Sequence, residues 1–480
     1  MKLDPDDKDA IRRTAVVQAK TRLSVVSRLL GGSSPTSRLS TAPQNTAVPV
    51  SPLNRVDSIL MLSFATAAGT FVWNLARRLP MGLRGEGSEN FWFEADVMRV
   101  FYNISARKSL QTRSQVHPIF ALIGYSCDAV IRKVAHLNLN DSVDVFLALT
   151  AGLWVIFMYL VIRKLGFDCV MAAGAAALGI LSSAGLLFFT IPETYALASV
   201  SILATIALIL YTQGGRWESA GRVLASATSL SIVVTNWALG LLLTFRKSPW
   251  RQWLQLSING FFLVAVLWSV EKLLMPSAEF FTDFGREKNY LNHLSFVGVL
   301  KTANVFIVSS VIAPIEKMTP DFGIHDPVGP AWKLGITFQN SWPGSASMWG
   351  VAAVIFWLVL LALGVRSLLI KKRSHFSLSL LIFLVLQLAL HILYGAETFM
   401  YALDWVPILV IIAVFGLQEL GKARWPALAV FILLIAVNNL IEFQRIAGIA
   451  QTYQKTYPIH PPSAEEDMAA HFYWGASPTH

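Results

Sequence analysis

Apolar runs long enough to cross a lipid bilayer recur along this chain, and a soluble core has no use for so many of them. No charged residue falls between Val170 and Phe189, and a membrane helix needs about 20 such residues. Comparable apolar stretches lie at residues 58–75, 143–162, 196–211, 254–274, 348–370, 376–393, 402–415 and 425–440. Of 480 residues, 54% are apolar and 14% charged, against about 45–50% and about 25% in soluble domains. A soluble globular protein is excluded. The reading is an all-α polytopic membrane protein.

The net charge of +10 does not argue for nucleic acid, because Lys and Arg accumulate in the cytoplasmic loops of membrane proteins. Residues 1–57 hold nine basic residues among Ser, Thr and Pro and lack an apolar leader. They read as a disordered basic cytoplasmic tail. Arg163-Lys164, Arg216, Arg222, Lys371-Lys372-Arg373, Lys422 and Arg424 then mark further cytoplasmic ends. The spans distribute into a membrane domain over 58–442 with external loops at 76–142 and 275–347, followed by an external tail over 443–480. Cys127 and Cys169 are the two cysteines. They fall on opposite faces in this topology, so no bridge between them is expected.

Three stretches resist a simple span. Residues 117–134 carry Asp128, Arg132 and Lys133, which suits a helix lying at the interface. Residues 294–314 carry Lys301 and Asn304 and read as an interfacial or packed helix. Between Arg222 and Arg246 the polar pair Thr235-Asn236 interrupts an apolar run with basic residues at both ends. Two short helices meeting at Asn236 satisfy both flanks. Counted separately, they bring the total to eleven membrane helices.

In this topology the notable acids and imidazole gather at one face: Glu94, Asp96, His117, Glu193 and Glu397. Few charges sit at bilayer depth, where ion pathways need them. Glu94 and Asp96 form an E-x-D pair just before Arg99. Such a pair can hold a divalent cation such as Mg or Mn, or one acid can take a proton while the other tunes it; two solvated acids pairing with Arg99 or Arg107 is the plainer alternative. His117 precedes Pro118, and Pro192-Glu193-Thr194-Tyr195 opens a helix, where Pro and an acid are at home for local reasons alone. Asn236 can satisfy freed backbone groups at a helix break. Glu397 lies in a link between two spans, and Arg286 with Lys288 could clamp a phosphate.

An early span, an external acidic loop, a His-Pro apolar helix, a span ending Arg163-Lys-Leu-Gly166 and then Pro192-Glu-Thr-Tyr195 together resemble the GT-C superfamily of membrane glycosyltransferases. Protein mannosyltransferases and bacterial aminoarabinose transferases are examples. The likeness extends over roughly residues 58–420. It implies a polyprenyl-phosphate-linked sugar donor, transfer at the non-cytoplasmic face and a catalytic acid in the first external loop. Asp96 matches that acid, with Glu94 beside it. His117 falls in the family's His/Pro segment, and Glu193 matches the acid opening a later helix. Asn236 stands where many relatives carry Lys, and the long basic tail is not a family feature.

The expectation is therefore a GT-C-like bundle in a bacterial inner membrane, N-terminus cytoplasmic, moving sugar from the lipid donor to a glycan, lipid or protein acceptor. Asp96 and Glu94 are the catalytic or metal-holding candidates. Arg99, His117, Glu193, Tyr195, Asn236 and Glu397 are the substrate-binding ones. An O-antigen polymerase or ligase would instead need essential Arg and His residues within 275–347. A transporter would need internal repeats and midplane charges, and a scaffold would tolerate loss of the acids.

Overall fold

The computed structural model describes residues 53–84, 91–245, 249–281, 288, 290–320, 334–371 and 374–456. The basic tail before residue 53, Arg286, and residues 457–480 lie outside them.

The first helix, α1 (Arg55–Ala76), begins three residues before the sequence suggests. Asn54 and Asp57 close a capping box across its first turn, each side chain taking the other's backbone N–H, and such a box fixes a helix start. Asp57 is thus a buried helical residue rather than part of a tail. It accepts from Tyr159 and Arg163, which lie near the end of α4 (Leu139–Lys164). At the opposite ends of the same two helices, Arg84 pairs with Asp144. The two helices therefore run antiparallel, pinned at both ends by a buried carboxylate and an arginine. Between the pins the backbones come close: a Cβ on Gly69 would lie 2.9 Å from the Ala148 carbonyl oxygen, and one on Gly152 would lie 3.3 Å from that of Ala65. Small residues at such crossings let membrane helices pack by contact alone.

Between these two helices come α2 (Val97–Ser105) and α3 (Phe120–Ala135), the latter matching the expected interfacial helix. The run 170–189 is not one straight span. Ser182 breaks it into α5 (Cys169–Leu181) and α6 (Ser183–Phe188), accepting the Gly185 N–H. The N–H groups of Ser183 and Ala184 are taken by the carbonyls of Val311 and Ser310. Then follow α7 (Thr194–Thr212), α8 (Glu218–Ile232) and α9 (Trp237–Thr244). A single 3₁₀ turn, Val234–Asn236, separates the last two, as the polar pair suggests.

After α10 (Trp250–Leu274) the second loop carries α11 (Phe296–Asn304), continued by a π turn over Val305–Ser309. Its beginning is exposed and apolar, with Phe296 at 78% exposure, whereas Val305, Phe306 and Ile312 are buried. The segment is exposed at one end and packed at the other. Asn438 and Asn439 hold the packed end through Ala313 and Val311. The membrane bundle is completed by α12 (Met348–Arg366), α13 (His375–Leu393), α14 (Val406–Glu419) and α15 (Arg424–Thr456). Residues 443–456, expected in a tail, continue α15.

The protein is an all-α polytopic membrane protein. Each of the eleven expected membrane helices has a helical counterpart. Among the described residues, seven helices are long and apolar enough to cross a bilayer unaided, and the turn Thr398–Asp404 with α14, bent by 63°, makes an eighth. A small non-helical element was not legible. Strands β1 (Lys317–Pro320) and β2 (Leu334–Thr337) pair antiparallel, Lys317 opposite Thr337. On its other edge Ile336 exchanges backbone hydrogen bonds with Phe91 and Phe93, at 2.8 and 3.1 Å. The second loop thereby holds the first.

Candidate active site

The acidic loop is held from below by three aromatic side chains. Phe91, Trp92 and Phe93 are buried, and the Trp92 indole donates to the Leu83 carbonyl at 2.6 Å. Phe93 and Glu94 both take left-handed backbone conformations, with φ of 55° and 58°. That costs roughly 1–2 kcal/mol per residue for a side chain with a Cβ, so the surrounding packing has to enforce it.

Asp96 occupies the N-cap position of α2 without capping it. Its Oδ2 accepts instead from Arg99, at 2.5 Å from Nη2 and 3.1 Å from Nε. The side chain keeps 43% of its surface open. Burial of the surroundings works against its charge, but the guanidinium groups of Arg99 and Arg113 outweigh it and hold Asp96 below the ordinary carboxylate range.

Arg113 and His117 arrive on a 3₁₀ turn, Thr112–Gln115, stitched to the end of α10. Ser114 donates to the Glu279 carbonyl at 2.8 Å, and Ser277 joins the Ser109 carbonyl to the Gln111 N–H. His117 is buried, with Nδ1 3.0 Å from the Ile232 carbonyl oxygen. A carbonyl only accepts, so Nδ1 carries the hydrogen and Nε2 is left as an acceptor. Burial, reinforced by the charges of Arg113 and Arg99, lowers the imidazolium pKa to about 3. His117 is neutral at physiological pH. The residue it touches ends α8, and Val234 N–H binds the Val116 carbonyl, so the helix break shapes this wall. Arg99, Asn103, Gln111, Arg113, Ser114, His117, Phe120 and Ala121 line a small pocket.

Glu193 closes the group. It is 3% exposed, makes no side-chain cap to α7, and its Oε2 has no hydrogen-bond partner. Burial pushes its carboxyl up to about 7; Asp96 pushes the same way, and Arg99 and Arg113 oppose. Tyr195 stacks edge-on to His117 at 5.9 Å and to Tyr401 at 5.0 Å, ring centre to ring centre.

Asn236 is fully buried with both amide ends engaged: Nδ2 donates to Asp404 at 2.8 Å and Oδ1 accepts from Gln387 at 2.8 Å. It ties the helix break to α13 and to the turn before α14. Glu397 is buried, accepts from the Thr337 hydroxyl, and lies within electrostatic reach of Glu94. Burial lifts its carboxyl to about 8, with Glu94 adding to the rise.

Two guanidinium charges act on Asp96, the acid of the E-x-D pair that contacts Arg99. Among the described residues no three His, Cys, Asp or Glu side chains gather as a metal-holding group. The structure thus sets Arg99 in contact with Asp96, His117 and Glu193 within electrostatic reach of that acid, and Tyr195 against His117, while Asn236 bonds to Asp404 and Gln387 and Glu397 lies within reach of Glu94. Arg113, Tyr401 and Asp404 were missed from the sequence. For Arg113 a signal existed, since it sits one helical turn before His117.

This arrangement offers an ionised, accessible carboxylate within electrostatic reach of two cations and a neutral imidazole. It can accept a proton from a hydroxyl and hold an anionic group at the same time. No protein-family model matches the sequence, and no curated protein does. Solved structures do. Apo ArnT from Cupriavidus metallidurans shares 12% identity at a TM-score of 0.51, over 81% of this chain and 76% of that one. The same protein bound to undecaprenyl phosphate shares 13% at 0.51, over 87% and 81%. The likeness is one of fold: this chain shares the fold of the solved ArnT structures.

Proposed function

Proceeding from the fold shared with ArnT, we propose that this chain is a membrane glycosyltransferase that moves a sugar from a polyprenyl-phosphate donor to a glycan, lipid or protein acceptor at the non-cytoplasmic face. The observation that carries the reading is accessible Asp96 paired with Arg99, which lines one small pocket together with Arg113 and neutral His117. A lipid-linked donor keeps its chain in the bilayer while its sugar reaches water, so its chemistry belongs at the end of a bundle. Solved ArnT, similar in fold, binds undecaprenyl phosphate.

In this mechanism Arg99 and Arg113 grip the donor phosphate. Guanidinium–phosphate pairs are strong and directional. They also stabilise the charge that gathers on the phosphate oxygen as the bond to the anomeric carbon lengthens. Asp96, kept ionised by the same arginines, takes the proton of the acceptor hydroxyl. His117 presents Nε2 as an acceptor to a sugar or acceptor hydroxyl.

Binding of undecaprenyl phosphate to the full-length protein in lipid nanodiscs tests the reading. Saturable binding that weakens in R99A and R113A supports it, and no binding at any concentration refutes it.

A further inference from the structure

Glu193 is a buried acid with no partner for one of its oxygens, placed where a mechanism with a single carboxylate base has no use for it. It is 3% exposed, and its Oε2 makes no hydrogen bond. Although it stands at the N-cap of α7, its side chain does not cap that helix. The groups acting on it are Asp96 and Arg99 at the start of α2, Arg113 on the 3₁₀ turn, and the Thr194 backbone at the head of α7. Tyr195, one residue from that backbone contact, packs against His117 and Tyr401. The acid therefore lies within electrostatic reach of Asp96, Arg99 and Arg113, at the head of another helix whose Tyr195, two residues on, packs on His117 of the pocket wall.

Resting on the glycosyltransferase reading, we propose that Glu193 is the site's proton donor: it delivers a proton to the departing lipid phosphate, and the proton captured by Asp96 restores it. The acceptor oxygen bonds to the anomeric carbon, and the bond from that carbon to the phosphate oxygen breaks with its electron pair staying on oxygen. The acceptor's hydroxyl proton goes to Asp96, and Glu193's proton goes to the phosphate. Transfer of the Asp96 proton to Glu193 resets the pair without exchange with bulk water. The chemistry calls for such a donor, because transfer converts a phosphodiester of one negative charge into a monoester that gains a second one. Beside two carboxylates that second charge is costly unless it is neutralised where it forms. Glu193 at about 7 is matched to a phosphate monoester, whose second pKa is about 6, and matched acids transfer protons most readily. Two acids within electrostatic reach of each other and of opposite protonation have separate duties, as in other acid–base pairs.

The probes are undecaprenyl phosphate and its methyl diester, titrated into full-length protein in nanodiscs. The diester keeps one charge through neutrality, so any change in its affinity with pH belongs to the protein. Wild type is expected to bind the diester about tenfold more weakly at about pH 8.5 than at about pH 6, as ionised Glu193 repels the phosphate. E193Q, a mimic of the protonated acid, is expected to bind equally at both values and as tightly as wild type at the lower one. In infrared difference spectra of wild type against E193Q, a protonated-carboxyl band is expected that fades as pH rises through about 7 and shifts when the lipid binds. E193D should restore a pH dependence, displaced from that of wild type. If the two proteins share one pH profile, or the band is absent, Glu193 does not hold the proton and the inference falls while the donor reading stands. If neither lipid binds any variant at any pH, the donor reading fails and takes the inference with it.

Discussion

The Nδ2 of Asn236 donates to Oδ1 of Asp404 across 2.8 Å, joining residues 168 positions apart in the chain. Gln387 completes the set by donating to the Asn236 oxygen at 2.8 Å. A helix break, the body of α13 and the turn before α14 are thereby fixed to one another inside the bundle. The same break supplies the Ile232 carbonyl that orients His117, so this buried trio acts on the recess at second hand.

Removing its centre should therefore destabilise without touching substrate. N236A is expected to lower unfolding stability in detergent by about 2–3 kcal/mol, the cost of leaving Asp404 buried without its donor. N236A/D404A should lose less than the two single changes summed, because the orphaned acid is gone. Chemical denaturation of the four proteins reads both effects.

A larger loss is expected at Arg84. Both Arg84 and Asp144 are 2% exposed, and the same guanidinium donates to the carbonyls of Thr190 and Ala76, at 2.9 and 3.0 Å. It thus gathers the end of α1, the first turns of α4 and the turn leading to Glu193. R84A leaves a buried carboxylate uncompensated, which costs about 3–5 kcal/mol. R84A/D144A should recover part of that in the same denaturation assay, and full stability in R84A would contradict the assignment.

Glu397 should make the link between the two loops sensitive to alkali. Burial lifts its carboxyl to about 8 from an ordinary 4.5. Stability contributed by the neutral acid is complete below the unfolded value and is lost as pH rises through the folded one. The ionised form would also face Glu94. Hydrogen exchange of residues 334–341 is expected to quicken beyond the intrinsic rate as pH rises from about 5 and to level off above about 8. E397Q should flatten that excess.

Sequence patterning carried the membrane class and the helix break at Asn236, because each is written locally as a run without charge or a polar interruption. What it could not carry is pairing across distance. Nothing near Trp92 announces that its loop will add to a strand at Ile336, and nothing in the uncharged stretch 170–189 announces a break at Ser182 held by carbonyls from 310 and 311. The E-x-D spacing suggested a shared cation. The left-handed turn at Phe93 and Glu94 is invisible in composition. Asn236 read as a substrate contact because a polar residue at a helix break serves a ligand or a buried partner equally well. The buried partner, Asp404, lies far along the chain.

Donor grip is expected to depend on Arg113 more than on exposed cations of the same end. R113A should weaken undecaprenyl phosphate binding by about tenfold or more, the loss of one charge-assisted pair in a partly dry recess. K301A, on the exposed face of α11, should change it little. Equal effects would point to diffuse surface attraction rather than a built site, and raising ionic strength would then abolish both alike.

The central claim is that ionised Asp96 accepts the proton during sugar transfer from a polyprenyl-phosphate donor. Its most direct measurement is mass analysis of cell-surface glycans and extracted polyprenyl-phosphate sugars in cells lacking the gene, complemented with wild type or with D96N at matched membrane levels. The account predicts that wild type restores a glycan mass that D96N does not, with the lipid-linked sugar accumulating in the D96N cells. A glycan profile restored by D96N to the wild-type pattern would contradict it.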